Sequence, residues 1–422
     1  MKRPLVVSLP GAPVGSIEQG RGGMTSWHPN PAWEEVGQHP RLGLDFLRTR
    51  GPRLASAEIP SWFENLLPER ESALRARLCA NHDLRDGQSF DLLRLLGGEL
   101  PGAVVVNREV TSSSPDESNP DETGAEQDVE DAGDPPIRMS SLAGMQLKFS
   151  MSMVNERLTL PATRGGEEWI VKLAGIEYDE LAAVEAATMT WAKRAGFDVP
   201  RHFTVPFDEL VGVPAGWADT QLPAFAIRRF DRRADGSRLH HEDLCQALGL
   251  RPRDKYGDGN PSVRFEGAVR LMTDACDVVG GREMVSRIGF MIASGNTDAH
   301  LKNWGLVWAE KVRPTIAPCY DLVATIAWGK LGWERNGGPR LALHLGKRHR
   351  FADLDDAAID AFAGGVQHSW AKEALMEGLE RARDSYRETD VPVPQRMASA
   401  LEAHWKRVPI LRRMGSLVPP GS

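Results

Sequence analysis

Residues 111–136 read TSSSPDESNPDETGAEQDVEDAGDPP, a run with nine acids, no lysine or arginine, and one aliphatic side chain larger than alanine, Val129. Such a tract buries too little apolar surface to offset its ordering entropy, and its acids repel one another. It is expected to be a disordered, extended loop or linker, so the chain folds as parts on either side of it. A less favoured reading makes it a nucleic-acid mimic or a dock for a basic partner. Of the 58 acids in the chain, 49 lie elsewhere and face 51 bases, which leaves the rest close to neutral. That balance argues against a protein that grips nucleic acid mainly through its own charge.

A length of 422 residues allows two or three domains. Cys79, Cys245, Cys276 and Cys319 stand far apart with no C-x-x-C pair. They read as reduced, mostly buried thiols, not as a disulfide frame or zinc site. The opening MKRPLVVSLPGAPVG is a short apolar run broken by prolines. It reads as a first strand and turn rather than a signal peptide. No stretch approaches the roughly 20 apolar residues that span a bilayer, so no membrane partner is expected and the cytoplasm is the expected location.

In residues 1–110, strand-like ends (4–8 and 103–106) enclose helices. WFENLLPERESALRARLC carries Phe63, Leu66, Leu67, Leu74 and Leu78 near helical spacing, interrupted by Pro68. Beyond the acidic tract the period changes, and MQLKFSM, RLTLPA and EWIVKLAG read as short strands. LAAVEAATMTWAKRAG predicts a helix with Leu181, Val184, Thr188, Trp191 and Ala195 on one face and Gly196 as its C-cap. Strands FTVPF and FAIRRF follow, and from Leu239 the chain reads as mostly helical. REMVSRIGFMIASG puts Met284, Ile288, Met291 and Ile292 on one face and stops at Gly295. The tail, from Asp353 to about Met414, carries two or more amphipathic helices. The expected fold is α+β and two-lobed. Its expected parts are a front α/β subdomain (1–110), the acidic tract (111–136), a β-rich lobe (137–230) and a helical lobe (231–422).

At the join of the two lobes lies GNTDAHLKNWGL, with Asp298 and, five positions on, Asn303. That is the D-x-x-x-x-N spacing of a protein-kinase catalytic loop, in which the Asp accepts the substrate hydroxyl proton and the Asn holds magnesium. Asp321, in TIAPCYDLVAT, follows where a strand-like run ends and has the setting of the second metal carboxylate. Taken singly, these residues read as turn formers or caps; their order and spacing favour phosphoryl transfer. Strand alternation puts Trp169, Val171 and Leu173 on one face and Ile170 with Lys172 on the other. Lys172 is then placed to meet nucleotide phosphates, with Glu185 on the next helix as a lysine-orienting carboxylate. The turn Ser140-Ser141-Leu142-Ala143-Gly144-Met145-Gln146-Leu147-Lys148 has small residues that let backbone N–H groups approach phosphates, and Lys148 adds charge. His300 alone beside Asp298 and Asn303 gives no zinc spacing. His240-His241-Glu242 suggests a metal site weakly and a helix start more strongly.

These pieces together resemble the HipA-type serine/threonine kinases, toxins of bacterial type II toxin–antitoxin pairs, and the resemblance covers nearly the whole chain. GAPVGSI, PRLGLDF, FENLLPE and LLGGELPGAVVV resemble the family's amino-terminal domain. SLAGMQLKF resembles its phosphate loop, WIVKLAG its lysine strand, and RRFDRR, HHEDLCQALGL and KYG its hinge and the start of its helical lobe. NTDAHLKNWGL and APCYDL resemble its catalytic and metal-binding motifs. The resemblance implies a two-lobed, kinase-like fold with Asp298 as catalytic base and Asn303 and Asp321 as Mg2+ ligands. ATP would be held by Ala143, Gly144, Met145, Gln146, Leu147 and Lys148, by Lys172, by the hinge Arg228, Arg229 and Phe230, and by His300, Leu301, Lys302, Asn303, Tyr320 and Asp321. It further implies autophosphorylation on Ser141, with Ser140 as the alternative, which ejects the phosphate loop. A dianion set beside the ATP phosphates repels them, a sound physical route to silencing.

Arg228 stands where the family often has an acid, so adenine contacts there rest on backbone groups. The acidic tract is also an insertion relative to the family. By resemblance, the substrate is a protein of the translation machinery such as an aminoacyl-tRNA synthetase, and the partner is a helix-turn-helix antitoxin through which DNA is reached indirectly. Two competing readings fit the same residues: an antitoxin-binding co-repressor with little turnover, and a small-molecule kinase.

Overall fold

The computed structural model describes residues 3–10, 12–35, 42–48, 51–56, 58–85, 88–108, 147–160, 167–175, 178–213, 221–257, 260, 263–309, 313–329, 338–388 and 393–417. The acidic tract, Ser140, Ser141 and the loop residues Ala143, Gly144, Met145 and Gln146 lie outside them.

The front part is built on a five-stranded antiparallel sheet. Its order is Arg53–Ser56, Thr25–Pro29, Ala12–Gln19, Leu5–Leu9 and Val105–Arg108. The two strands expected at its ends are neighbours, with Leu5 opposite Arg108 and Val7 opposite Val106. The middle strands were not anticipated, because Pro13 and Gly15 read as turn. The predicted Phe63–Leu78 helix is two, Ser61–Glu64 and Ala73–Asn81. Pro68 sits between them, and Ser72 restarts the second by accepting a bond from Arg75 N at 3.2 Å.

A second antiparallel sheet has the order Arg157–Thr159, Lys148–Val154, Glu168–Lys172, Ala224–Arg228 and His202–Val205. Its faces differ as the alternation requires. Phe149, Met151, Trp169, Val171, Ala224 and Ala226 join the core of the front part. Phe225 and Ile227 join the core of the helical lobe, against the Leu181–Arg194 helix. One sheet thus supplies a wall to both cores. The helix ends as expected, with Gly196 at φ +81° and its N–H donating to Lys193 O at 3.0 Å.

Beyond Leu239 helices dominate, notably Phe265–Cys276, Val278–Ser294, Asp356–Val366, Ala371–Arg387 and Gln395–Arg407. The second of these stops at Gly295 in the left-handed region. Two corrections apply. A three-stranded sheet, His240–Asp243, Gly305–Trp308 and Thr315–Ile316, and a hairpin, Arg340–Leu345 with Arg348–Arg350, interrupt the helices. His240-His241-Glu242 is accordingly a strand rather than a helix start. The short Leu244–Ala247 helix begins after it, capped reciprocally by Asp243 and Gln246. No helix among the described residues is long and apolar enough to cross a membrane.

Candidate active site

The sheet and the helical lobe meet at a cleft of about 1480 Å3. Its walls include Lys148, Lys172, Glu185, Phe230, Asp298 and Asp321. That volume exceeds what a small ligand needs, so it leaves room for a second reactant.

Lys172 ends the Glu168–Lys172 strand and leaves Trp169 and Val171 in the front core. Its ammonium donates to Glu185 Oε1 at 2.5 Å and to Asp321 Oδ1. Lys148, on the neighbouring strand directly opposite Lys172, lies 3.6 Å from Asp321 Oδ2. Two cations and two carboxylates form one compact, formally neutral quartet. Burial depresses the Lys172 pKa, but the fields of Asp321 and Glu185 outweigh it and hold the ammonium above its ordinary value. Burial lowers Lys148 and raises Glu185. For Asp321, the two lysines overcome the effect of burial and keep the carboxyl well below the usual range.

Asp321 adopts φ +53°, a left-handed conformation that costs a non-glycine residue energy and aims its side chain at both lysines. Tyr320 beside it donates to Lys302 O at 3.1 Å and stacks on Phe230, with centroids 5.7 Å apart at 24°. His241 meets both rings edge-on. The three rings form an aromatic corner in the wall of the cleft.

Across the cleft, the loop after Gly295 carries Asp298, whose side chain keeps 51% of its accessible surface. Asp298 N donates to Asn296 Oδ1 at 2.9 Å, and Asn303 Nδ2 donates to Asp298 O at 2.7 Å. The second bond leaves the Asn303 amide oxygen as an acceptor. Loss of hydration in the cleft raises the Asp298 pKa, opposed by a hydrogen bond from Tyr256 and the charge of Lys255. Burial pushes His300 down to about 3, so its imidazole is neutral at ordinary pH.

The remaining predicted residues divide. Leu147, Lys148, Arg228, Phe230, His300, Lys302 and Asn303 line the cleft, whereas Leu301 is wholly buried in the helical-lobe core. The Lys302 ammonium is committed to Asn65 O at 2.9 Å, Asn65 Oδ1 at 3.0 Å and Asp243 at 3.2 Å. The Arg229 guanidinium turns inward to Asp231 and Ser150, and Arg228 lies 3.5 Å from Glu167. Sequence reasoning missed Tyr256, Lys255 and the front-part residues Asn65 and Glu69. Nothing local marks these last two, because their partners lie far along the chain.

Magnesium takes hard oxygen ligands, few of them from protein when phosphates supply the rest. The ionised Asp321 carboxylate and the Asn303 amide oxygen suit that chemistry. Among the described residues no cluster of three or more His, Cys, Asp or Glu offers an all-protein metal cage, which such a phosphate-shared site does not need.

Residues 5–107 match the family described as the HipA N-terminal domain, and residues 140–386 match the HipA-like C-terminal domain. The chain belongs to the HipA family. A Sinorhizobium fredii relative named "Putative kinase Y4dM" is 33% identical over 97% of this HipA-type chain and 98% of its own. The "Serine/threonine-protein kinase toxin HipA" of Shewanella oneidensis is 26% identical over 70% of this chain and 69% of its own. The solved complex of a Shewanella oneidensis HipA with HipB and operator DNA contains a chain of the same fold, with TM-score 0.70, 21% identity and 98% of both chains covered.

Proposed function

We propose that this HipA-type chain is an ATP- and Mg2+-dependent serine/threonine protein kinase that acts as a growth-inhibiting toxin on a translation component. The observation that carries this reading is the Lys172 ammonium bridging Glu185 and Asp321 in the cleft that also holds Asp298. A co-repressor without turnover has no need of a strained Asp321 or of two buried lysines.

In the proposed reaction the aromatic corner of Phe230, His241 and Tyr320 seats the adenine. Lys148 and Lys172 hold the phosphates, and Glu185 keeps Lys172 in register. Asn303 and Asp321 would hold Mg2+, which would supply positive charge to offset that of the phosphates. Asp298 accepts the proton of the acceptor hydroxyl as that oxygen attacks the γ-phosphorus, and ADP leaves. The neutral His300 imidazole, two residues from the base, packs edge-on against the Tyr256 ring without adding charge. Phosphate placed on Ser141 or Ser140 would repel the nucleotide and silence the enzyme.

The substrate is proposed to be a protein such as an aminoacyl-tRNA synthetase, in the cytoplasm. A helix-turn-helix antitoxin is the proposed partner, as the Shewanella complex with HipB and operator DNA suggests. DNA would be reached through it, in keeping with a nearly neutral body outside the acidic tract.

Asp298→Ala is expected to lower phosphoryl transfer by roughly 10²–10⁴-fold, the usual worth of a general base, and to leave nucleotide affinity measurable. Asp321→Ala should also weaken the Mg2+-dependent part of ATP binding. Titrating ATP with and without Mg2+, alongside transfer of labelled phosphate to protein serine, separates these outcomes. Equal activity in wild type and Asp298→Ala removes the base assignment, and label on a metabolite instead of protein makes the chain a small-molecule kinase.

A further inference from the structure

Half of the Asp298 side chain faces the open cleft. A carboxylate on a loop has several rotamers, yet a base works only when its oxygen is within hydrogen-bond reach of the acceptor hydroxyl. Among the described residues, the hydrogen bond to its carboxylate comes from outside the catalytic loop. Tyr256 Oη donates to Oδ1 at 2.5 Å, a length typical of a hydroxyl bonding a charged oxygen. That bond occupies one oxygen and leaves Oδ2 to receive a proton.

Tyr256 is itself held from three sides. Leu301 N donates to Lys255 O at 3.1 Å, which ties the Lys255–Tyr256 turn to the catalytic loop. The Tyr256 ring meets the His300 ring edge-on, with centroids 5.1 Å apart at 80°. The Lys255 ammonium lies 5.3 Å from the Tyr256 ring centroid and donates to Glu69 Oε1 at 2.7 Å. Glu69 belongs to the front part of the molecule, in the segment between the Ser61–Glu64 and Ala73–Asn81 helices. A continuous set of contacts therefore runs Glu69, Lys255, Tyr256, Asp298. Next to it, Asn65 from the same front segment grips Lys302 within the catalytic loop.

We propose that Tyr256 is a positioning residue for Asp298 and that Glu69 holds it in place through Lys255, which makes the front part a working component of the catalytic apparatus. The inference rests on the reading of Asp298 as base. Deleting the Tyr256 hydroxyl frees the carboxylate to rotate and leaves in place every group assigned above to the nucleotide, so it is expected to act on kcat and not on KM for ATP.

The test uses the full chain with Mg-ATP, measuring phosphate incorporation and ATP affinity for wild type, Tyr256→Phe, Glu69→Gln, the double variant and Asp298→Ala. Tyr256→Phe is expected to cut the rate at saturating ATP by roughly 10–100-fold, part of the full worth of a general base, with half-saturating ATP within about twofold of wild type. Glu69→Gln should give a smaller loss of the same kind, and the double variant should be no slower than Tyr256→Phe, because residues acting through one another are not additive. A wild-type rate in Tyr256→Phe, or a rise in half-saturating ATP that accounts for its defect, overturns the positioning role. Additive losses in the double variant overturn the link to Glu69. A silent wild type, or an Asp298→Ala variant as active as wild type, instead sinks the base assignment itself.

Discussion

Lys172 holds two carboxylates, and one of them, Glu185, is 1% exposed. Lys172→Met would leave that carboxylate buried without its cation, a change that destabilises by about 3–5 kcal/mol. Urea denaturation should show the loss, and Lys172→Met with Glu185→Gln should recover most of it, since a pair replaced together leaves no uncompensated charge. A single variant as stable as wild type would mean the pair contributes nothing to folding. This pairing was legible because strand alternation fixes which way Lys172 points and the next helix must pack on that face. Tyr256 was not legible as a partner of Asp298. K-Y-G carries no spacing that announces such a contact, and only the tertiary fold brings the two residues together.

At the scale of elements, the Val278–Ser294 and Ala371–Arg387 helices approach closely where neither side has a Cβ. A methyl at Gly378 would meet the Ser286 carbonyl, and one at Gly289 would meet the backbone of Leu375 and Leu379. Gly378→Ala is therefore expected to destabilise by about 1–3 kcal/mol through overpacking. The urea midpoint should fall with an unchanged slope; an unchanged midpoint would show that the helices separate at no cost. The loop that carries Asp298 leaves the end of the first of these helices, so its seat depends on this contact. The first helix was readable from its 3.6-residue period and the stop at Gly295, the second only as one of the two or more amphipathic helices expected between Asp353 and about Met414. The three-stranded sheet was not, because its strands span only two to four residues. Runs so short show no period, and their partners lie far apart in sequence.

The whole molecule is held together by a buried junction between the front part and the helical lobe. Glu242 is fully buried and accepts hydrogen bonds from Leu44 N at 3.0 Å and Trp62 Nε1 at 3.1 Å. His240 donates to Leu42 O at 2.9 Å, and Asn65 Nδ2 to Leu250 O at 2.8 Å. Burial pushes the Glu242 carboxyl up to about 8, from an ordinary 4.5. A folded pKa above the unfolded one means the folded state binds the extra proton. The stability from Glu242 is then fully present below about 4.5 and is lost as pH rises toward about 8. Thermal unfolding should show a midpoint that falls across that window in wild type and falls less in Glu242→Gln. Parallel curves for the two proteins would show that Glu242 does not set the slope. Composition and the acidic tract give the expectation of a chain of several parts. The joining of two parts through one shared sheet was not legible, since a strand buried on both faces looks in sequence like any other apolar run.

Mass spectrometry of the purified chain after incubation with Mg-ATP, beside Asp298→Ala, tests the central claim most directly. Phosphate on Ser141 or Ser140 in the wild type and none in Asp298→Ala is the predicted result. Phosphate at equal level in both proteins would contradict the claim that Asp298 drives phosphoryl transfer in this cleft.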